Sequence, residues 1–198
     1  MLRIKDRAKP KTPPVEPGAY PAICIGVIDL GEQYSEKFKS FANKVQIVWE
    51  LPTETIEVDG KQEPRQLSKE FTISASKKGG LRNFLSSWNG KAYSDEEFLE
   101  LDLFGQIGRA CQVNVVLSES GEYANIESAI PLMKGFTIPQ SNTPTIRWDM
   151  TEWDDAVFQT LPEWVQDKIK KSTQYQKDHA PATTVEVKAP DAAAVCPI

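Results

Sequence analysis

Cationic and aromatic side chains lie close together in several polar stretches of this 198-residue chain. Unpaired nucleic acid is bound by such a combination, because lysine and arginine contact phosphates while flat side chains stack on bases. The candidates for these contacts run from residue 34 to residue 123. They are Tyr34, Lys37, Lys39, Lys44, Trp49, Arg65, Lys69, Phe71, Lys77, Lys78, Arg82 and Tyr123.

One group of these candidates falls on a single face of a predicted strand. Arg65, Lys69 and Phe71 are separated by even numbers of residues, so they share a face. Interleaved cations and aromatic rings are typical of a surface that binds single strands. Leu67 and Ile73 share this face as well, and their apolar character equally favours packing into a core. The alternation leaves both interpretations of Phe71 open.

Other candidates have a plain structural alternative too. Trp49 alternates with Val45 and Ile47, and an apolar alternation of this kind normally faces inward. Lys77 and Lys78 precede a pair of glycines, and a short run of like charges is often simply solvated. The alternation of side chains shows which residues share a face of a strand, but it does not determine which of the two faces is exposed to water.

Acidic side chains are concentrated between residues 149 and 155, with no basic residue among them. They are Asp149, Glu152, Asp154 and Asp155. A metal-dependent nuclease, which EDTA would inactivate, needs such carboxylates to converge in a preformed cavity. Because these four are near neighbours at the end of a predicted linker and just beyond it, we expect instead a solvated patch that binds a protein partner. Trp164, in the helical stretch that follows, belongs to the same predicted partner-binding surface.

The sequence contains no arrangement with the spacing of a catalytic or metal site. It has no GxxxxGK(S/T) loop, no GxGxxG after a strand and no GxSxG elbow. A single histidine, His179, argues against Ser/His/Asp catalysis. Three distant cysteines, Cys24, Cys111 and Cys196, form no CxxC pair of the kind that zinc sites use. We expect a protein that is not an enzyme, with no catalytic residues, metal or cofactor.

Charge and hydropathy indicate the cellular compartment of the protein. Its start is charged rather than apolar, so no signal peptide is predicted, and no stretch has the apolar length that spans a bilayer. The odd, widely spaced cysteines are typical of a reducing compartment. We therefore expect the cytoplasm and no membrane partner.

The elements that must position these residues are mostly strands. Residues 43–51 alternate with period two, and Asp59-Gly60 is a strong hairpin-turn signal. Residues 31–42 are interpreted as a polar connector. Five strands are predicted, over residues 20–30, 43–51, 65–74, 109–117 and 123–130.

A segment whose apolar residues have helical spacing separates the third predicted strand from the fourth. Leu81, Phe84, Leu85 and Trp88 recur at helical intervals, and a second short helix opens at Ser94. Three strands, a helical segment and a two-stranded hairpin follow the order of an OB fold, a five-stranded barrel. The predicted class is therefore mainly β with short helices, an OB-fold barrel plus a C-terminal helical appendage.

Composition divides the chain into five parts. Lysine with proline marks the start, proline with threonine marks a linker, and alanine with proline marks the end. The predicted parts are a flexible basic arm (1–17), the barrel (18–133), a linker (134–152), the helical appendage (153–175) and a disordered tail (176–198).

Several stretches, covering roughly residues 18–175, resemble a family of bacteriophage proteins from replication and recombination gene clusters. The stretches that carry the resemblance are GAYPAICIGVIDLG, KVQIVWELP, LSKEFTIS, LRNFLSSWNGKAYSDEEF, GRACQVNVVLSESGEYANIESAIPL and LPEWVQDKIKKS. The resemblance implies an OB fold that binds single-stranded DNA, in the cytoplasm of a host cell. One departure is the end of the chain, DAAAVCPI, because many phage and bacterial single-strand binders end in a strongly acidic tip.

The sequence therefore predicts sequence-independent binding of single-stranded DNA during phage DNA replication or recombination. The DNA is expected to cross the second and third strands, with residues 153–172 either docking a partner or folding back over that groove. Expected protein partners are a phage or host helicase, recombinase or polymerase, and self-association is left open. The main alternative, which the net charge of −5 favours, is an OB-fold adaptor that recruits replication proteins without DNA affinity.

Overall fold

The computed structural model describes residues 13–58, 60–136 and 140–179. Residues 1–12 of the predicted arm and 180–198 of the predicted tail lie outside this part. The strands are β1 (Gly18–Ser35), β2 (Ser40–Val58), β3 (Lys61–Thr72), β4 (Ala110–Leu117), β5 (Ala124–Ile130) and β6 (Ile146–Trp148). The helices are α1 (Gly80–Asn89), α2 (Asp95–Leu99), α3 (Asp155–Thr160), α4 (Glu163–Lys170) and α5 (Thr173–Asp178), with a 3-10 turn at Phe104–Gln106.

The strands form one sheet in the order β3-β2-β1-β4-β5, antiparallel throughout, and β6 adds to β1 in parallel. This confirms a mainly β fold with short helices. None of the helices in the described ranges is long and apolar enough to cross a membrane.

The two longest strands extend well past their predicted ends. The sequence predicts a connector over residues 31–42, but β1 and β2 remain paired from Gly31 and Lys44 out to Ser35 and Ser40. The chain reverses only between those last two residues. The connector is therefore a protruding hairpin, because polar and aromatic side chains can pair across a solvated ladder as well as apolar ones.

The sheet is not closed by backbone pairing within the described residues, where β3 and β5 are its outermost strands. A side chain bridges the seam between them. Lys69 of β3 donates from Nζ to the carbonyl oxygens of Ile126 (2.6 Å) and Glu127 (3.0 Å) of β5.

The main core lies between the inner face of the sheet and α1. The helical stripe predicted from Leu81, Phe84, Leu85 and Trp88 is confirmed, since all four side chains are buried. The ring of Trp49 lies 5.6 Å from that of Phe84 and 5.5 Å from that of Trp88. Aromatic packing of this geometry stabilises a core beyond the area it buries.

A second core lies on the opposite face of β1 and β2, under β6 and the C-terminal helices. It explains why the middle of β1 is apolar on both faces. The buried members are Ile25, Ile28, Leu30, Val48, Trp148, Phe158, Leu161, Val165 and Ile169. The predicted linker thus contains a strand that helps to form a core.

Gly26 permits this second layer. The register of β1 shifts between Cys24 and Gly26, and a glycine inside a strand often marks such a bulge. A Cβ at residue 26 would lie 3.2 Å from Cβ of Ile146, so β6 packs closely against a strand that carries no side chain there.

Candidate nucleic-acid interface

Three exposed aromatic rings lie on the hairpin between β1 and β2. Tyr34 and Phe41 are opposite each other in the ladder, with ring centroids 5.0 Å apart. Phe38 lies in the turn. Their exposed fractions are 47%, 56% and 72%. Because large apolar side chains grouped on a surface commonly mark a binding site, this cluster is the strongest candidate in the described residues.

Lysines flank these rings. Lys37 places its ammonium 5.5 Å from the ring centroid of Phe38. Lys39, which has a positive φ of 49°, forms an exposed ion pair with Glu36 at 2.7 Å. Residues 31–44 hold three lysines against two glutamates, so the hairpin is cationic in a chain of net charge −5. We name this group, Tyr34, Lys37, Phe38, Lys39 and Phe41, the hairpin cluster.

Phe38 and Phe41 are members that the sequence-based set of candidates does not include. Their signal was present in the sequence, as aromatic residues within a lysine-containing polar stretch. Interpreting residues 31–42 as a connector concealed the cross-strand pairing of Phe41 with Tyr34.

Lys44 lies at the base of the hairpin in an ion triad. Its Nζ is 3.0 Å from Oε1 of Glu70, and Lys168 of α4 binds the other oxygen of the same carboxylate. Burial raises the pKa of Glu70, but hydrogen bonds and charge from Lys168 and Lys44 outweigh it and hold that pKa below its usual value. The triad therefore carries one net positive charge at neutral pH.

Trp49 and Phe71 lie in the core rather than on a wet face. Trp49 is completely buried, and Phe71 packs against Phe84 with ring centroids 4.8 Å apart. The odd-numbered face of β3 faces inward because Phe71 pairs with the buried Val45. Neither ring is accessible to a nucleobase. Both side chains therefore pack in the core, which was the other interpretation of their alternation.

Lys69, on the same inward face, stabilises the fold instead of presenting its charge to solvent. Its ammonium lies over the rings of Phe71 and Phe84, at 5.7 and 5.4 Å from their centroids. Burial lowers the pKa of Lys69, and the charge of Glu127 opposes that shift. Since its protons are donated to carbonyls of β5, Lys69 joins the two edges of the sheet rather than presenting a free cation.

Lys77, Lys78 and Arg82 lie elsewhere, near α1 and α2. Arg82 is buried and forms an ion pair with Asp95 at 2.7 Å, and Lys77 reaches the same carboxylate at 3.1 Å. Hydrogen bonds from Arg82 and then Lys77 lower the pKa of Asp95. Lys78 is exposed. These cations do not join the hairpin cluster.

Arg65 and Tyr123 lie apart from both the hairpin cluster and the cations near α1. They line a groove of about 600 Å³ between the β2–β3 hairpin and the β4–β5 loop. Arg65 donates to the carbonyl of Pro13 at 2.7 Å, while Tyr123 is 63% exposed. Ile56 and Leu67 contribute apolar walls.

The part of the expected DNA path that crosses β2 is covered. Gln46 and Glu50 of β2 are buried, and Oε2 of Glu50 accepts hydrogen bonds from Ser141 at 2.8 Å and from Thr143. Val48, between them, belongs to the second core. The outer face of β2 is thus occupied by the chain itself, and the expected path over it is not available.

The acidic residues proposed to bind a partner make mostly local contacts. Asp154 caps α3 through the backbone N–H of Ala156. Asp149 accepts from Thr151, Asp155 accepts from the indole of Trp153, and Glu152 lies 3.6 Å from Arg147. Trp164 is 55% exposed. Among the described residues, no group of three or more His, Cys, Asp or Glu is placed to hold a metal ion.

The chain matches no protein-family model, no curated protein and no solved structure. The resemblance to phage single-strand binders stays a prediction from the sequence.

Proposed function

We propose that this chain binds single-stranded DNA, with little dependence on sequence, during phage DNA replication or recombination. The observation that carries the proposal is the hairpin cluster. Exposed rings and lysines on one protruding hairpin match the two needs of a single strand, stacking for its bases and cations for its phosphates.

We further propose that β1 to β5 form an OB-type barrel. Their order in the sheet, with β5 following β4 and lying beside β3, is the order of that fold. Lys69 supports the assignment because it joins β3 to β5 where a closing ladder would run. The helix between β3 and β4 also has its OB position. In this fold the loop between the first two strands is one of those that bind oligonucleotides.

Tyr34, Phe38 and Phe41 would each offer a ring face to a base. A stacked base contributes about 1–3 kcal/mol, and every base has a π-face, which explains the low sequence dependence. Lys37 and Lys39 would contact phosphates. Affinity should fall as salt rises, because each phosphate contact releases condensed cations.

The proposal is tested with a labelled dT oligonucleotide of about 30 nucleotides, long enough for more than one OB site. In fluorescence anisotropy, the wild-type chain should bind it tightly at low salt, more weakly at moderate salt, and bind duplex poorly. The triple variant Tyr34→Ala, Phe38→Ala, Phe41→Ala should lose roughly 100-fold or more in affinity, since three lost stacking contacts cost about 3–9 kcal/mol.

The matched control removes exposed aromatic rings elsewhere. Phe136→Ala with Trp164→Ala changes two rings that are 48% and 55% exposed and should leave the affinity unchanged. Absence of wild-type binding at low salt would exclude the proposed function. Equal losses in both variants would exclude the hairpin as the site.

An OB-fold adaptor for replication proteins is the second candidate, and one observation favours it. The other cations predicted from the sequence to contact DNA lie in separate places, and several are paired with acids, as Lys44 is with Glu70 and Arg82 with Asp95. An adaptor would capture a helicase, recombinase or polymerase in a pull-down without binding DNA. Trp164→Ala should then abolish capture, because that exposed ring is the natural anchor at a protein interface.

A further inference from the structure

Positive charge is concentrated where α4 meets α5. Residues 168–178 hold four lysines against one aspartate, Asp178, in a chain that carries a net charge of −5. The lysines are Lys168, Lys170, Lys171 and Lys177. A local excess of cations in an acidic chain is an electrostatic footprint for an anionic partner.

This junction is attached to the base of the β1–β2 hairpin. Nε2 of Gln33 donates to the carbonyl of Lys168 at 2.9 Å, and the backbone N–H of Glu32 donates to Oε1 of Gln174 at 2.8 Å. Oγ1 of Thr173 donates to Oε2 of Glu32 at 2.6 Å. Three hydrogen bonds between the two elements hold the lysines of the junction in a constant position relative to the hairpin cluster.

Two of the four lysines are already engaged. Lys168 binds Glu70, and Lys170 lies 4.0 Å from Asp167 with its ammonium over the ring of Phe158. Lys171 and Lys177 are exposed and form no ion pair with any described residue. They are therefore the cations of the junction that are available to a ligand.

Both lysines lie next to residues that contact the base of the hairpin. Lys171 precedes Ser172, whose side chain lies against Gly31 at the hairpin base. Lys177 follows Thr173 and Gln174, which bind Glu32, by one helical turn and so lies on the same side of α5. Tyr34 is three residues beyond Gly31, about 10 Å along the strand. Because Tyr34 is an odd number of residues from Gly31 and Gln33, its ring faces the side of the hairpin opposite to α5, so a single strand that contacts both would pass around the hairpin.

We infer that Lys171 and Lys177 bind the sugar-phosphate backbone of the same single strand whose bases stack on the hairpin cluster. The inference rests on the proposed function and extends it, because the C-terminal layer becomes part of the DNA-binding surface. It also assigns the α4–α5 junction to nucleic acid rather than to a protein partner.

The test measures the salt dependence of binding to the labelled dT oligonucleotide for Lys171→Ala, Lys177→Ala. Each phosphate contact with a single strand contributes about −0.7 to the slope of log K against log salt. Removing two contacts should make the slope shallower by about 1.4 and weaken binding at low salt. The melting temperature should be unchanged, because both side chains are exposed.

The matched control is Lys61→Ala, Lys134→Ala, which removes the same charge from two exposed lysines away from the junction. It should keep the wild-type slope. A wild-type slope in the junction variant, or an equal change in both variants, overturns the inference while leaving the hairpin proposal intact. Failure of the wild-type chain to bind the oligonucleotide overturns both.

Discussion

At the scale of the residue, Glu70 joins three elements. Its backbone lies in β3, and its carboxylate binds Lys44 of β2 and Lys168 of α4. Burial alone would raise the pKa of this carboxyl, but the two lysines lower it by more. A carboxyl whose pKa is lower in the folded than in the unfolded chain stabilises the fold above the unfolded pKa, and this contribution is lost as pH falls.

Glu70→Gln should therefore lower the free energy of unfolding at pH 7 by about 1 kcal/mol, the usual size for a partly exposed ion pair. The difference between wild type and variant should shrink as pH falls below about 4.5, the ordinary value for a glutamate, and vanish below the lowered folded-state pKa. Urea unfolding between pH 3 and pH 7 measures it. Glu57→Gln, at an exposed position of β2, should show no such trend. A difference for Glu70→Gln that is constant with pH would contradict the assignment.

At the scale of the element, the α4–α5 junction packs against β1 where that strand has no side chain. Gly31 has a φ of +69°, and a Cβ there would lie 2.8 Å from Cβ of Ser172 and 2.9 Å from Oε1 of Gln174. Gly60, in the β2–β3 turn, has a φ of +79° with no atom within 4 Å of the same position. The two glycines share a left-handed backbone, which would be strained for any other residue, and differ in the space around them.

Gly31→Ala should therefore destabilise the chain more than Gly60→Ala does. The left-handed backbone alone costs about 1–2 kcal/mol in each variant. At residue 31 a steric clash with α5 is added, and we expect an extra cost of at least about 1 kcal/mol. Equal denaturation midpoints for the two variants would mean that the junction does not pack tightly on Gly31.

At the scale of the whole molecule, β1 belongs to two cores. Cys24 and Val27 belong to the main core, while Ile25, Ile28 and Leu30 belong to the second core under the C-terminal layer. Loss of either core exposes apolar surface on the same strand. Deleting the C-terminal layer is therefore a poor test of whether it covers a groove, because the deletion also uncovers these side chains.

We expect wild-type unfolding in urea to be one transition, with coincident curves from far-ultraviolet circular dichroism and tryptophan fluorescence. Trp148→Ala should lower the stability of the whole chain by about 3–5 kcal/mol, because the ring is fully buried in the second core. Trp164→Ala, at an exposed ring, should have little effect. An early separate transition that leaves the sheet intact would show instead that the C-terminal layer unfolds independently.

The sequence alone predicted the class of fold and most of its elements. Alternation from Val45 to Leu51 predicted β2, and the stripe from Leu81 to Trp88 predicted α1. These are local properties, since the period of apolar residues follows directly from backbone geometry. The alternation in the hairpin was missed because its paired side chains are polar or aromatic.

Only the tertiary structure decided which faces are wet and which cations lie together. Trp49 and Phe71 point inward because α1 packs on that side of the sheet, and the period of a strand is the same for either face. Lys168 reaches Glu70 across almost 100 residues of chain because α4 folds back on the sheet. The local pattern of residues determines whether a segment forms a helix or a strand. Which element packs on each of its faces depends on long-range packing, which no local pattern contains.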